Sequence, residues 1–509
     1  MTLTSFTFIF FCLLLFLIYY IVPKKIQWLV LLFSSIIFLF YDSLSLNNII
    51  FVLIVLITSY FCGIMIDKYH DTSKSKWFLL LGIFIIVGQL VYLKYTNLFL
   101  ITFNNIMSWL NISYQSTLVY RESPLGVSYY SLIMISYLID IYRKIHKSEK
   151  NILKCALFMS YFPILTSGPF IRYNDMQNNL YTARRFDSHN LKSGLLRVLW
   201  GFFKVLVISQ RLSSFVNVVF ANYTVYNGFY IIVAAILFTL QLYTNFSGSI
   251  DIIMGVSECL GINLPENFKV PFFSKTITEF WRNWHITLGA WLKDYIFYPL
   301  LKSDFIQKLA NMLKNKLGKK ASKKITLYLS MLIMWLIIGI WHGGAYTYIL
   351  ASGILQFIFI LLEDLLEPVA VKVTSFFKIN REVFSYRLYQ VIRTFFLFTF
   401  AMIFFRAASI SEGISIIKNA FVWNPWILLD HSSLFNAGLD ILDFRVLVIS
   451  LIILFVVELL SRKENIREKF FEQNIVFRWS IVFILLFMII IFGCYGPGYD
   501  TTSFIYRQF

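Results

Sequence analysis

Several stretches of this chain run without a charge for longer than a water-facing fold can hide. Leu13 to Val22, Trp28 to Tyr41 and Phe483 to Cys494 carry none. Runs of this kind read as membrane-spanning helices, because a helix satisfies all its backbone hydrogen bonds internally. A membrane β-barrel would instead show short strands of alternating polarity. Only 14% of the 509 residues are charged and 58% are hydrophobic, against about 25% charged in soluble domains. No soluble domain of useful size fits anywhere. The expectation is an all-α integral membrane protein with about ten to twelve spanning helices plus re-entrant and interfacial helices. It should form a single domain over residues 1–509. The first segment, Ser5 to Val22, has no basic residue before it and no small-residue cleavage site after it, so it reads as a retained helix.

The net charge of +18 would suggest nucleic acid in a soluble protein. Here the basic residues fall in the connections between apolar runs, the positive-inside pattern, and no nucleic-acid partner is expected. Lys24-Lys25, Asp67 to Lys76, Arg143 to Lys150, Arg184-Arg185, Lys302 to Lys324, Lys372 to Arg387 and Arg462 to Lys469 should be cytoplasmic. Phe40 to Leu46 and Lys94 to Arg121 are poorer in charge and should lie outside. That arrangement puts both termini outside a cell membrane. The five cysteines are scattered with no CxxC spacing, so neither a metal site nor a disulfide framework is indicated.

Two regions do not read as simple spans. In Tyr161 to Arg172, Pro163, Gly168 and Pro169 interrupt an apolar run. In Leu264 to Lys324, a polar and aromatic stretch, FWRNWHITLGAWLKDYIFYPL, sits in the middle of this very apolar chain. Irregular backbone at membrane depth survives only where protein or a water-filled cavity surrounds it. Both are candidate re-entrant elements. Phe280, Trp284, Leu288, Trp291 and Tyr295 recur at helical spacing, so this stretch fits an aromatic-faced helix at the membrane interface. In that reading His285 is a structural hydrogen-bonder. The cluster from Lys302 to Lys324, eight lysines with Asp304 as its one acid, would then lie on anionic head groups.

A second histidine shifts the balance. The apolar helix expected over Ile325 to Ile340 ends in Trp341-His342-Gly343-Gly344, and another apolar run, Ala345 to Leu362, follows. Apart from His285, the other histidines (His70, His146, His189 and His431) sit in or near polar loops. An ionisable group at the lip of an apolar helix is costly and is a functional candidate by default. Neutral imidazole accepts a proton near neutral pH. Asp140, Arg143, Arg172 and Asp251 border apolar runs. They read first as structural pairs, with Asp251 kept as a site-lining candidate.

These motifs resemble the membrane-bound O-acyltransferase superfamily. The stretch from Phe280 to Leu300 is similar to its long aromatic motif, and GIWHGGAYTYILASGILQ to the motif that carries the family histidine. SPLGVSYYSLIMISYLIDIYRK, YFPILTSGPFIRY and NFSGSIDIIMG follow the family pattern in order, and the tail SFIYRQF resembles the ending of the alginate branch. Within this family, the chain resembles the branches of the alginate O-acetyltransferase membrane subunit and the D-alanyl transfer protein of teichoic acids. The chain departs in lacking a Gly-Gly-Asn loop after Leu300. It also has Ser249 where tyrosine is usual and Tyr129 where phenylalanine is. These departures bear on the acceptor sugar.

The resemblance implies a ring of helices around a central tunnel. It implies an O-acyltransferase with His342 as the catalytic base and His285 as its helper. Asn283, Trp281, Trp284, Trp341 and Asp251 would bind substrate, with no metal. No bound cofactor is implied; the co-substrate is an acyl thioester, acetyl-CoA or an acyl-carrier protein. It would carry a short acyl group, acetyl first, to a hydroxyl of an extracytoplasmic polysaccharide, or to an extracellular or periplasmic SGNH-hydrolase-like partner that completes the O-acylation. Membrane lipid is the remaining partner. The rival reading is a transporter or flippase of envelope glycan or lipid precursors without acyl chemistry. Transporters often carry internal repeats with matching broken helices, and none is visible.

Overall fold

The computed structural model describes residues 1–41, 44–119, 121–430 and 433–496. His431 and the SFIYRQF tail lie outside them. Among the described residues the chain is all-helical, its β-structure being one isolated bridge between Phe268 and Trp284. Among the described residues eight helices are long and apolar enough to cross a membrane, against the ten to twelve expected, and two further apolar helices, Phe6–Ile21 and Val127–Tyr142, are shorter. The chain is a multi-pass membrane protein. Its contacts gather into two units that interleave along the sequence. Met1–Phe202 with Gly248–Pro265 make the body of one; Phe203–Ser247 with Glu266–Cys494 make the other.

In the first unit, Ser5 accepts from Phe8 N and starts Phe6–Ile21 within a residue of the expected boundary. Helix Val127–Tyr142 is buried around almost its whole circumference against Leu46–Lys68 and Ser73–Leu90. Gly82 makes this close packing possible: a Cβ there would stand 2.6 Å from the Leu138 side chain. The interrupted run at Tyr161 is as irregular as its prolines suggest. A single turn, Phe162–Leu165, is followed by non-helical backbone, and the segment is buried. Tyr161 Oη lies 2.8 Å from Ser257 Oγ, and Phe162 N donates to Ser35 Oγ at 3.1 Å. Protein groups thereby replace the water that broken backbone needs.

In the second unit, helices Ile441–Ser461 and Ile475–Phe492 present exposed Ile449, Ile452, Phe455, Phe483, Phe487 and Ile490. That is the surface a spanning helix offers to lipid. The lysine-rich segment and the apolar helix expected after it form one element, Asp304–His342, broken at Gly318, where φ is 83°. The turn folds the first part back, so that Ser322 Oγ donates to Ala310 O at 2.6 Å. Glycine takes a left-handed φ without a Cβ clash.

The continuous aromatic helix expected from Phe280 to Tyr295 does not form. Ile277–Asn283 and Ile286–Leu292 are separate short helices. Between them Trp284 is extended and His285 is left-handed, with φ 49° and ψ 50°. The chain from Asn267 to Lys269 runs beside this break and competes for its backbone groups: Lys269 N donates to Asn283 O and Ile286 N to Asn267 O. Phe280, Trp284, Leu288, Trp291 and Tyr295 are nevertheless all buried. They share an interior, not the interfacial helix face that their spacing suggested.

Candidate active site

The break at His285 is held open from three sides. Asn267 Oδ1 accepts from Thr287 N at 3.1 Å and from Thr287 Oγ1 at 2.8 Å, and it lies 3.2 Å from His285 Nδ1. The backbone N–H of Thr287 settles which end of the amide faces it. The oxygen can only accept, so His285 donates from Nδ1 and its neutral ring carries the lone pair on Nε2. A non-glycine residue in the left-handed region costs about 1–2 kcal/mol. Such a conformation persists only where its surroundings over-determine it.

Glu363 anchors the start of the segment, accepting from Ile277 N through both carboxylate oxygens at 3.1 and 3.0 Å. Arg393 donates to Glu363 and to Lys275 O, each at 3.0 Å. Aromatic rings fill the space behind. The Trp284 ring stacks on Phe280 at 5.4 Å and meets Phe268 edge-on at 5.1 Å. Phe246 meets the His285 ring edge-on at 4.9 Å.

His342 ends the helix Asp304–His342 and is buried. At Gly343 the chain leaves the helix, and it returns as Tyr346–Tyr348 and the π-helical segment Ile349–Ile354. Two glycines let this segment press against the outgoing helix. A Cβ on Gly339 would stand 2.8 Å from Ile349 Cα, and one on Gly353 2.9 Å from Trp335 O. The close approach brings Ser352 Oγ to 2.9 Å from His342 Nδ1 and to 2.7 Å from Tyr348 O.

Trp341 is close to both histidines, its ring 6.0 Å from His285 and 5.2 Å from His342. Burial holds His285, which is outside the spanning helices, well below the usual imidazole value of 6.5, and a proton on nearby His342 would push the same way. His285 is therefore neutral near pH 7, an acceptor at Nε2. Trp281 Nε1 donates to Gln356 Oε1 at 3.0 Å, and Gln356 Nε2 donates to Ala351 O at 3.0 Å. That chain links the broken segment to the π-helical turn bearing Ser352.

The structure thus gathers His342, His285 and Trp341, with Trp281 and Trp284 in the wall behind. Asn283 points elsewhere: it is half-buried and donates to Ser274 Oγ at 3.2 Å. Asp251 belongs to the other unit, where Arg197 Nε donates to its carboxylate at 2.9 Å. Sequence reasoning missed Asn267, Ser352 and Gln356. Ser352 and Gln356 lie within the motif around His342, but the reversal at Gly343 and the π-helical register hide which of its side chains face the histidine. Asn267 is a lone amide in a loop and carries no pattern.

The chain is similar to proteins of one known family. Residues 79–314 match the membrane-bound O-acyltransferase family, a span that contains His285 and stops short of His342. The probable alginate O-acetylase AlgI of Pseudomonas syringae pv. tomato is 28% identical over 437 residues, 85% of this chain and 77% of that protein. The peptidoglycan O-acetyltransferase of Helicobacter pylori is 27% identical over 396 residues, 71% of this chain and 68% of that protein. The teichoic acid D-alanyltransferase of Bacillus subtilis is 26% identical over 240 residues, 45% of this chain and 56% of that protein.

Proposed function

Because this chain belongs to the membrane-bound O-acyltransferase family and is an O-acyltransferase, we propose that it moves a short acyl group, acetyl, from a cytoplasmic thioester to an extracytoplasmic hydroxyl. The thioester is acetyl-CoA or an acylated carrier protein. The hydroxyl belongs to an envelope polysaccharide, or to an SGNH-hydrolase-like partner outside the cell membrane that completes the O-acylation. In this reading residues 1–509 act as one acyltransferase domain with both termini outside, and the basic loops, Lys302 to Lys324 among them, face the cytoplasm and draw in the anionic donor.

His342 acts as the general base. It takes the proton of the acceptor hydroxyl as that oxygen attacks the thioester carbonyl carbon. The C–O bond forms, the tetrahedral intermediate collapses, the C–S bond breaks, and the proton on His342 passes to the departing thiolate. The products are an ester and a thiol. A positioned base of this kind contributes roughly 10²–10⁴-fold. His285 assists with its neutral Nε2, which accepts a hydrogen bond from a second hydroxyl of the acceptor while the reacting proton goes to His342. Trp281, Trp284 and Trp341 shape the walls that hold the substrates. The observation that carries the reading is the pair of buried histidines that share Trp341 as a ring neighbour.

Mass spectrometry of surface polysaccharide from cells with this chain, without it, and with His342→Ala tests the proposal. O-acetyl groups present only with the unaltered chain, at equal membrane levels of both proteins, support it. Acetylation that persists with His342→Ala overturns the assignment of the base. Glycan translocation that continues in that variant, with no acetyl transfer by either protein, overturns acyl chemistry.

A further inference from the structure

We infer that Ser352 is a positioning residue that sets the tautomer of His342, holding the ring proton on Nδ1 so that Nε2 is the nitrogen that works as base. The inference rests on the general-base reading of His342 and adds to it the atom that does the chemistry and the group that selects it.

The argument is a count of protons. A serine hydroxyl has one hydrogen to donate. Ser352 Oγ lies 2.7 Å from the carbonyl oxygen of Tyr348, one helical turn back. A carbonyl oxygen only accepts, so the hydroxyl proton is committed there. Ser352 Oγ also lies 2.9 Å from His342 Nδ1, and with its proton used it can only accept. The Nδ1 nitrogen must therefore donate. A neutral imidazole carries one N–H, so its lone pair sits on Nε2. When the ring takes a second proton from substrate, the Nδ1–H to Ser352 contact is unchanged. The hydroxyl need not turn at either stage, so the base works without reorganising its support.

The site is built for this contact. Ser352 and His342 are both buried, so water cannot stand in for either partner. Serine lies in the π-helical segment Ile349–Ile354, the kind of local widening that often marks functional sites. Gly339 and Gly353 bring that segment to the helix bearing His342, with no room for a Cβ at either crossing. Gln356 braces the same segment through Ala351 O, the carbonyl next to Ser352.

The test uses the full chain in lipid nanodiscs with acetyl-CoA as donor probe, comparing the unaltered protein, Ser352→Ala, Ser352→Thr and His342→Ala. Ser352→Ala should lower kcat by about tenfold or more, as loss of a residue orienting a working histidine typically does, with little change in KM for acetyl-CoA. Ser352→Thr, which keeps the hydroxyl, should recover most of the loss. Nitrogen-15 NMR of histidine-labelled protein gives a readout independent of turnover, with His342→Ala identifying the resonances. Protonated Nδ1 on His342 in the unaltered protein, and a mixed or reversed tautomer in Ser352→Ala, supports the inference. Protonated Nε2 in the unaltered protein, or a kcat and tautomer that Ser352→Ala leaves alone, overturns it. If His342→Ala turns over normally, the general-base reading falls, while the NMR result still decides whether Ser352 sets the tautomer.

Discussion

The imidazole of His285 and the side-chain amide of Asn267 meet head-on: Nδ1 donates to Oδ1 across 3.2 Å inside the second unit, while the same oxygen accepts two bonds from Thr287. One amide thus fixes the orientation and tautomer of a histidine whose backbone is left-handed.

Asn267→Asp would keep all three donors satisfied and place an anion beside the ring. An opposite charge at this distance raises a histidine pKa by roughly one to three units. If neutral His285 helps hold the acceptor, acyl transfer by Asn267→Asp should fall near neutral pH and recover as the pH rises. Rate against pH, at saturating donor, is the measurement. A profile that overlays the unaltered one would mean that the charge on His285 is irrelevant to transfer.

The depressed pKa of His285 also has a stability consequence. The ring is neutral in the fold at pH values where the unfolded chain would protonate it. The unfolded state therefore binds the extra proton, and stability is lost as pH falls below about 6.5. It is fully present above that value. His146, in the loop after Val127–Tyr142, is shifted down by burial as well and adds to the same window. Thermal unfolding of the solubilised protein should show a falling midpoint between about pH 6.5 and 5. His285→Gln should flatten part of that slope, and an unaltered slope would place the protons elsewhere.

Much of the architecture was legible because lipid leaves the backbone few options. Apolar runs such as Trp28 to Tyr41 became helices within a residue or two, here Gln27–Phe40, since propensity, hydropathy and backbone satisfaction all point one way. Proline and glycine in Tyr161 to Arg172 announced broken backbone correctly. Periodicity misled at Phe280 to Tyr295. It identified buried residues, but the pairing of Asn267 to Lys269 with Asn283 to Ile286 outweighed local helix preference. His342 was visible from its cost at the end of an apolar helix, whereas His285 read from its residues as a structural hydrogen-bonder and became a candidate through the family resemblance. Their partners were not, because Ser352 faces His342 only after a chain reversal and a π-helical turn that no residue pattern encodes.

Gly339→Ala tests the close crossing. The added carbon would meet Ile349 Cα, a backbone atom with no rotamer to escape into. Overpacking of this kind typically costs about 1–3 kcal/mol. Separating the two segments would also draw Ser352 away from His342. Both the melting midpoint and kcat should drop, and kcat should stay low under conditions where the variant is fully folded. A variant that melts earlier but turns over normally once folded would show that the crossing serves packing alone.

Gln356→Leu removes the acceptor from the Trp281 indole and the donor to Ala351 O in one step. Leucine fills nearly the same volume, so packing changes little. The Trp281 N–H is then left without its partner in the interior, a penalty of about 1–3 kcal/mol. The effect should extend beyond stability, because Gln356 joins the segment carrying His285 to the one carrying Ser352. Hydrogen exchange resolved by segment reads this directly. Faster exchange should appear both at Ile277–Asn283 and at Ile349–Ile354, while Ile441–Ser461 stays as before. Faster exchange confined to one of the two segments would mean that they are held independently, and that Gln356 is not the link between them.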